Sequence, residues 1–184
     1  MDYTPGIFKI KMSYYDSSKK NQVHTTLAKQ LALYITIYSP LQMAADLPEN
    51  YEQRPDAFQF IKDVAVDWDD TKILDAEPGD YIYIARKQKG KDNWFVGGIT
   101  DENKREYTVD FSFVDKDKKY LATVYKDAST ADWKNNPEAY VIEKFIINDK
   151  TKMKLSMASG GGFAISIIPA TAAEAAANKM YKAK

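Results

Sequence analysis

Trp68, Trp94 and Trp133 are the residues of this chain with the plainest chemical use. A flat indole on a sheet surface can stack on a sugar ring, and the same apolar body can fill a core. Trp94 lies inside the strand-like run "NWFVGGIT", where packing is the default. Trp68 sits where two sequence patterns meet and is expected to pack at that junction. Trp133, in the polar, turn-rich "STADWKNNPEAY", is the best candidate for exposed sugar stacking; the alternative is a pin that holds its loop onto a sheet. The remaining chemistry-bearing groups are few. His24 is the only histidine and there is no cysteine, which excludes a multi-histidine metal cluster, thiolate metal sites and disulfides. His24 just precedes an apolar run and reads as a polar group at the start of a helix. The acidic "DWDDTKILDAEPGD" (67–80) invites calcium but fails the EF-hand pattern, since the glycine position after Asp67-x-Asp69-x-Thr71 is Lys72. It reads as a solvated strand and turn. "SGGG" (159–162) is followed by no Lys-Ser/Thr pair and by a strand-like run, so it reads as a tight turn or bulge, not a phosphate loop.

The elements that must position these groups fall into two patterns. Residues 1–65 are helical in grammar. "DYTPG" has turn chemistry, and "SYYDSSKKNQ" is a polar loop. Thr25 or Thr26 caps a helix over "LAKQLALYITIY" (27–38), in which Leu27, Leu31, Tyr34 and Tyr38 share one face, Ala28, Ala32 and Ile35 lie beside it, and Leu33 and Ile37 point elsewhere. "SPLQMAADLP" reads as a short helix with Ser39 as cap and Pro40 at its first position. "RPDAFQFIKDV" reads as another. From residue 66 the period changes to two. Strands are expected at 68–74, 81–87, 93–100, 106–113, 120–127, 140–148, 152–158 and 162–169, separated by "EPGD", "KGKD", "DENK", "DKDKK", "KNNPE" and "NDKTK". Tyr107, Val109, Phe111 and Phe113 share one side of theirs. This spacing predicts an antiparallel β-sandwich over 66–170. The Ala/Lys-rich tail, 171–184, reads as a short helix or a frayed end.

Composition narrows the function classes. In 184 residues, Lys+Arg and Asp+Glu are both 26, so nothing favours a polyanionic partner such as nucleic acid. No apolar run approaches the roughly 20 residues of a membrane span. "MDYTPGIFKIKM" lacks the basic start, apolar centre and cleavage site of a secretory signal. The helix over 27–38 raises one difficulty. Its five leucines and isoleucines at 27, 31, 33, 35 and 37 would contribute about 10 kcal/mol together on full burial, at about 2 kcal/mol each. That rivals the whole stability of a domain, and a sandwich covers one side of such a helix. The expectation is therefore that its other wall belongs to a larger α/β body absent from this chain.

"MDYTPGIF", "VHTTLAKQLALYITIYSPLQMAADLPENY", "PDAFQFI", "VDWDDTKIL", "GDYIYIARK", "NWFVGGITDE", "ADWKNNPEAY" and "SGGGFAI" closely resemble, in order and over about residues 1–169, the C-terminal part of glycoside hydrolase family 97. These are bacterial α-glucosidases and α-galactosidases of Bacteroides-like glycan degraders. The resemblance implies an α+β fragment, with a few helices from the end of a (β/α)8 barrel (1–65) followed by an antiparallel C-terminal β-sandwich (66–170). It implies a parent enzyme that hydrolyses α-glucosidic or α-galactosidic bonds, binds calcium, acts on α-linked oligosaccharides and resides in the periplasm. The family's catalytic carboxylates and calcium-binding glutamates lie upstream of "MDYTPG", so none maps onto this chain. By resemblance the chain carries no cofactor, is catalytically inactive alone, and serves a structural or oligomerisation role by self-association, with the missing barrel as its partner. Asp2 and Tyr3 would be its nearest approach to a sugar pocket, an acceptor of hydroxyl hydrogen bonds and a stacking face; the alternative is that Asp2 and Thr4 organise the Pro-Gly turn. A carbohydrate-binding sandwich module is the alternative function.

Overall fold

The computed structural model describes residues 3–182. Helix α1 (Leu27–Thr36) is followed by α2 (Pro48–Glu52), α3 (Pro55–Asp63), then strands β1 (Trp68–Glu77), β2 (Tyr81–Gln88), β3 (Trp94–Thr100), β4 (Arg105–Asp110), β5 (Tyr120–Asp127), β6 (Tyr140–Ile147), β7 (Lys152–Met157) and β8 (Gly162–Pro169), and by α4 (Ala172–Ala177). Six strands form one antiparallel sheet in the order β1-β2-β3-β8-β5-β6, and β4 pairs with β7 in a separate two-stranded ribbon. The expected sandwich is thus present and markedly unequal, six strands against two.

Side-chain alternation assigns the two faces of the large sheet. Tyr83, Ala85, Trp94, Val96, Phe163, Ile165 and Val124 point to the ribbon, where Val109, Met153, Leu155 and Met157 meet them. The intervening Ile84, Phe95, Ala164 and Tyr125 point to the opposite face, under α1 and α3. Both faces being covered, β3, β5 and β8 are buried along almost their whole length. β4 ends at Asp110, three residues before its expected end, because the chain turns at Phe111 with a Val114 N–H to Phe111 C=O bond. Phe111 and Phe113 still pack into or against the ribbon-side core.

The expectation of an absent wall for α1 is corrected here. Leu27, Ala28, Leu31, Ala32, Leu33, Tyr34 and Ile35 are all buried by this chain alone. One wall is the large sheet, which α1 approaches closely because Gly97 has no side chain: a Cβ there would lie 2.9 Å from the Ala32 carbonyl oxygen and from the Ile35 Cβ. The other wall combines helices α2 and α3 with a segment whose periodicity is too short to mark an element. Residues 5–10 run as a strap that turns Phe8 and Ile10 inward, joined by Tyr51, Ala57 and Phe60. The helix over "SPLQMAADLP" is also corrected. Residues 38–47 hold no helix; their main chain is held by tertiary hydrogen bonds instead, and the next helix starts only at Pro48. The tail forms α4 with a Thr171/Glu174 capping box, then pairs through Lys179 and Tyr181 with Ile146.

Candidate functional site

The first candidate region is the strap that carries Tyr3. Asp2 lies outside the described residues. Tyr3 is half-buried and its hydroxyl is pushed up by that burial. Beyond Tyr3 the chain runs without a sheet neighbour over 5–10, so its amides and carbonyls need other partners. Side chains of α1 and the 46–51 region supply them. Gln30 Oε1 accepts from the Gly6 N–H at 2.9 Å and the Ile7 N–H at 3.2 Å. Asp46 Oδ2 accepts from the Phe8 N–H at 2.6 Å and the Lys9 N–H at 2.8 Å. The Tyr34 hydroxyl lies 3.0 Å from the Pro5 and Met43 carbonyl oxygens, and the Tyr51 hydroxyl donates to Gly6 C=O at 2.8 Å. Burial acts to raise the Asp46 carboxyl, yet donors from Lys9, Leu47, Phe8 and Asn50 hold it below its ordinary value, so it stays anionic. Gln30 is visible in the sequence as one of the few polar residues, with Lys29 and Thr36, in a mainly apolar helix; Asp46 gives no such signal.

The second region surrounds Trp133. Its indole stands against the His24 ring, centroids 4.4 Å apart, and over Gly160, where φ is +65° and a Cβ would lie 2.8 Å from the Trp133 Cβ. Its main chain is tied as well: the Trp133 N–H donates to Ser159 C=O, and Gln22 Nε2 donates to Trp133 C=O. His24 is exposed, just ahead of the true N-cap, Thr26, whose hydroxyl accepts from the Lys29 N–H. Beside the indole lies a cavity of about 240 Å³ lined by His24, Lys29, Asp101, Glu102, Trp133 and Gly160. Lys29 Nζ donates to Thr100 C=O at 2.7 Å, and burial lowers its affinity for a proton. Asp101 is held below the usual carboxylate range by the Asn103 backbone N–H, with Arg105 bonded at 2.9 Å.

Under this cavity the "SGGG" turn closes on Asp127. Its Oδ2 accepts from the Ala158 N–H at 2.9 Å and the Gly162 N–H at 3.0 Å, while Oδ1 has no partner. Desolvation pushes its carboxyl up to about 6, against the pull of the Thr26 side chain, those amides and Lys29. It lies buried at the end of β5 and braces a turn. The sequence hint is a lone acid closing an apolar strand.

The other sequence candidates fall elsewhere. Trp94 is buried against Phe113 in the sandwich, and Trp68 packs edge-on against Phe95 at the start of β1. The acidic 67–80 stretch is solvated, with Asp67 paired to Lys89 and Asp70 to Lys72. Among the described residues no three His, Asp or Glu converge as a metal site, so no chemistry is assigned to a metal here. Among them, too, no hydrogen bond or ring contact joins Tyr3 to Trp133. Glycoside hydrolysis needs one carboxyl that donates a proton and another that attacks or activates water. Asp101 is a committed anion and Asp127 is sealed beneath its turn. The contacts around Trp133 and Asp127 tie the 128–139 loop and the 158–162 turn to the start of α1.

A family model described as glycosyl-hydrolase 97 C-terminal, oligomerisation, matches residues 67–168. A retaining α-galactosidase of Bacteroides thetaiotaomicron is 41% identical over 169 residues, which is 91% of this chain and 25% of that protein. The solved structure of a glycoside hydrolase family 97 enzyme from a Pseudoalteromonas species, in complex with panose, superposes with a TM-score of 0.86 at 43% identity, over 93% of this chain and 26% of that one. A β-arabinopyranosidase, at 21% identity and a TM-score of 0.72, shares the fold. The chain thus spans about a quarter of the length of the relatives it matches.

Proposed function

The chain belongs to the glycosyl-hydrolase 97 C-terminal, oligomerisation family, and from that premise we propose that it serves as the supporting and self-associating end of a longer retaining α-glycosidase. The observation that carries this reading is collinearity: nine-tenths of the chain matches the C-terminal type of segment in relatives four times its length. In this reading residues 1–65 close a catalytic (β/α)8 barrel, and residues 66–170 brace it and make contacts between copies. The longer protein would cleave α-galactosidic or α-glucosidic bonds of an oligosaccharide in the periplasm. Its two carboxyls and its calcium would be held by residues outside this chain.

Two measurements test it. Purified alone, the chain turns over neither nitrophenyl α-galactoside nor nitrophenyl α-glucoside; turnover abolished by a carboxylate substitution within it would overturn the reading. Sedimentation equilibrium shows a concentration-dependent dimer or higher species, and a clean monomer at high concentration removes the oligomerisation role. Carbohydrate binding at Trp133 is the second reading, favoured by the 240 Å³ cavity beside the indole. It requires saturable quenching of tryptophan fluorescence by millimolar malto-oligosaccharide, lost in Trp133→Ala.

A further inference from the structure

A cleft of about 660 Å³ lies at the start of β5 and the end of β8, the far end of those strands from Asp127 and Gly162. Its walls are the end of α3 with the link to β1 on one side and α4 on the other. The volume falls within the roughly 300–1,000 Å³ of small-molecule sites. The register of the sheet fixes its floor. Lys144 faces Thr123 across β6 and β5, Thr123 faces Ser166 across β5 and β8, and Ser166 faces Phe95 across β8 and β3. Directly opposed residues share one face, so an amine, two hydroxyls and a ring form one row. Leu121 and Ile168, also opposed, run beside it as an apolar strip. Gln88 and Asn93 close one end, Asn93 Nδ2 donating to Gln88 Oε1 at 2.8 Å.

The charges on this lining are uneven. Lys62 of α3, Lys91 of the β2–β3 turn and Lys144 of β6 are exposed on it. None of the three joins an ion pair among the described residues, whereas Lys87, Lys89 and Lys126 are each paired with an acid. Two acids share the lining and both are engaged. Asp63 accepts from Gln59 Nε2 at 2.7 Å, and Glu174 Oε2 accepts from the Thr171 N–H and hydroxyl, each at 2.8 Å. The whole chain has no net charge, so attraction for an anion is local to the cleft.

We propose that this cleft binds a short anionic oligosaccharide, a pyranose chain that carries carboxylate or sulfate groups. The lysines take the anionic groups through charge-assisted hydrogen bonds. Thr123, Ser166, Gln88 and Asn93 meet ring hydroxyls, and Leu121 and Ile168 lie against a CH face. The hydroxyl row selects a sugar over a simple anion; three lysines on separate elements select a charged sugar over a neutral one. The site goes beyond the support and self-association proposed above and makes no use of Trp133.

Isothermal titration calorimetry on the full chain tests it, with trigalacturonate, a chondroitin sulfate tetrasaccharide, maltotriose, sodium sulfate and a short oligothymidylate as probes. The expected result is saturable binding of one or both acidic oligosaccharides that weakens with added sodium chloride; which of the two binds identifies the anionic group. The triple substitution Lys62→Gln, Lys91→Gln, Lys144→Gln should weaken it about tenfold or more, with an unchanged midpoint of thermal unfolding. Thr123→Val with Ser166→Ala should weaken the oligosaccharide and leave sulfate unaffected. Binding of neither acidic sugar overturns the proposal. So does equal binding of maltotriose, of sulfate or of the oligothymidylate, and so does affinity that survives the lysine substitutions. Binding lost in Trp133→Ala and kept in the lysine variant places the sugar at the indole and overturns it as well. Sedimentation of the lysine variant reads self-association separately, so the two proposals fail independently.

Discussion

On the ribbon side of the six-stranded sheet, order comes from strand ladders and alternating apolar residues: Phe163, Tyr83 and Trp94 meet Phe111, Met153 and Leu155, and main-chain groups pair with main-chain groups. On the helix side, the strap has no ladder, and Gln30, Asp46, Tyr34 and Tyr51 hold it group by group. The first arrangement tolerates many sequences that alternate correctly. The second depends on particular polar side chains, and losing one leaves buried donors unpaired. The difference teaches that the helical layer is specified by a handful of residues, whereas the sandwich is specified by a pattern.

The largest expected effect tests whether the two faces nonetheless act as one unit. Phe163→Ala, on the ribbon side, and Phe60→Ala, on the helix side, each remove a fully buried ring. Each should cost about 3–5 kcal/mol. Phe60 stacks edge-on against Phe95 and Tyr125 of the sheet, so both variants should shift a single urea transition, seen alike by circular dichroism and fluorescence. A separate early phase in Phe60→Ala would show that the helical layer unfolds by itself.

The next effect is pH dependence at the junction of the two faces. Asp127 has a folded pKa of about 6 and an unfolded value near 4, so the folded state holds the extra proton between these limits. Stability from this group is complete below about pH 4, falls as pH rises, and is gone above about pH 6. The swing is at most roughly 3 kcal/mol, at about 1.4 kcal/mol for each tenfold change in proton affinity. Other carboxylates, Asp46 and Asp101 among them, are held low and act in the opposite sense. The measurement is therefore the difference between wild type and Asp127→Asn in urea at pH 4.5 and 7. Wild type should gain on the variant on acidification; a flat difference would mean that the carboxyl titrates normally.

Gln30→Ala addresses the strap directly. It leaves the Gly6 and Ile7 amides without their acceptor and should cost about 1–3 kcal/mol. Hydrogen exchange should quicken across residues 5–10 and remain slow in β3, β5 and β8. Uniform quickening would erase the contrast between the two faces.

These contrasts also account for what is legible in the sequence. A period of two places every strand, since each strand has a buried face that fixes its register. Resemblance places the chain in its family. The strap escapes a sequence reading because Phe8 and Ile10 alternate over too few residues to register, and its partners are single polar side chains far away in sequence. "SPLQMAADLP" carries helix-start signals at Ser39 and Pro40, but Tyr34 and Pro5 claim its main chain, so tertiary bonds override local propensity. Trp133 stands out in the sequence as a loop residue, while its neighbours, His24 and Gly160, are found only in three dimensions.

Trp133→Ala gives the smallest effect and the sharpest choice between bracing and recognition. The 128–139 loop of the sandwich grips both the strap and the start of α1. Glu138 Oε1 accepts from the Ile10 N–H, and its other oxygen pairs with Arg54; Leu27 N–H donates to Pro137 C=O at 2.8 Å; Lys11 Nζ donates to Asn135 C=O at 2.8 Å. The indole adds its packing on His24 and Gly160 to that grip. Because the ring is only half-buried, its removal should cost about 1–2 kcal/mol, below the range for a fully buried aromatic. A bracing role predicts that loss together with faster exchange at the Thr26 and Gly160 amides, and no response to malto-oligosaccharide in either protein. A recognition role predicts unchanged stability and a lost sugar titration, because a stacking platform leaves its strongest face free, and here that face would have to be the one turned away from His24.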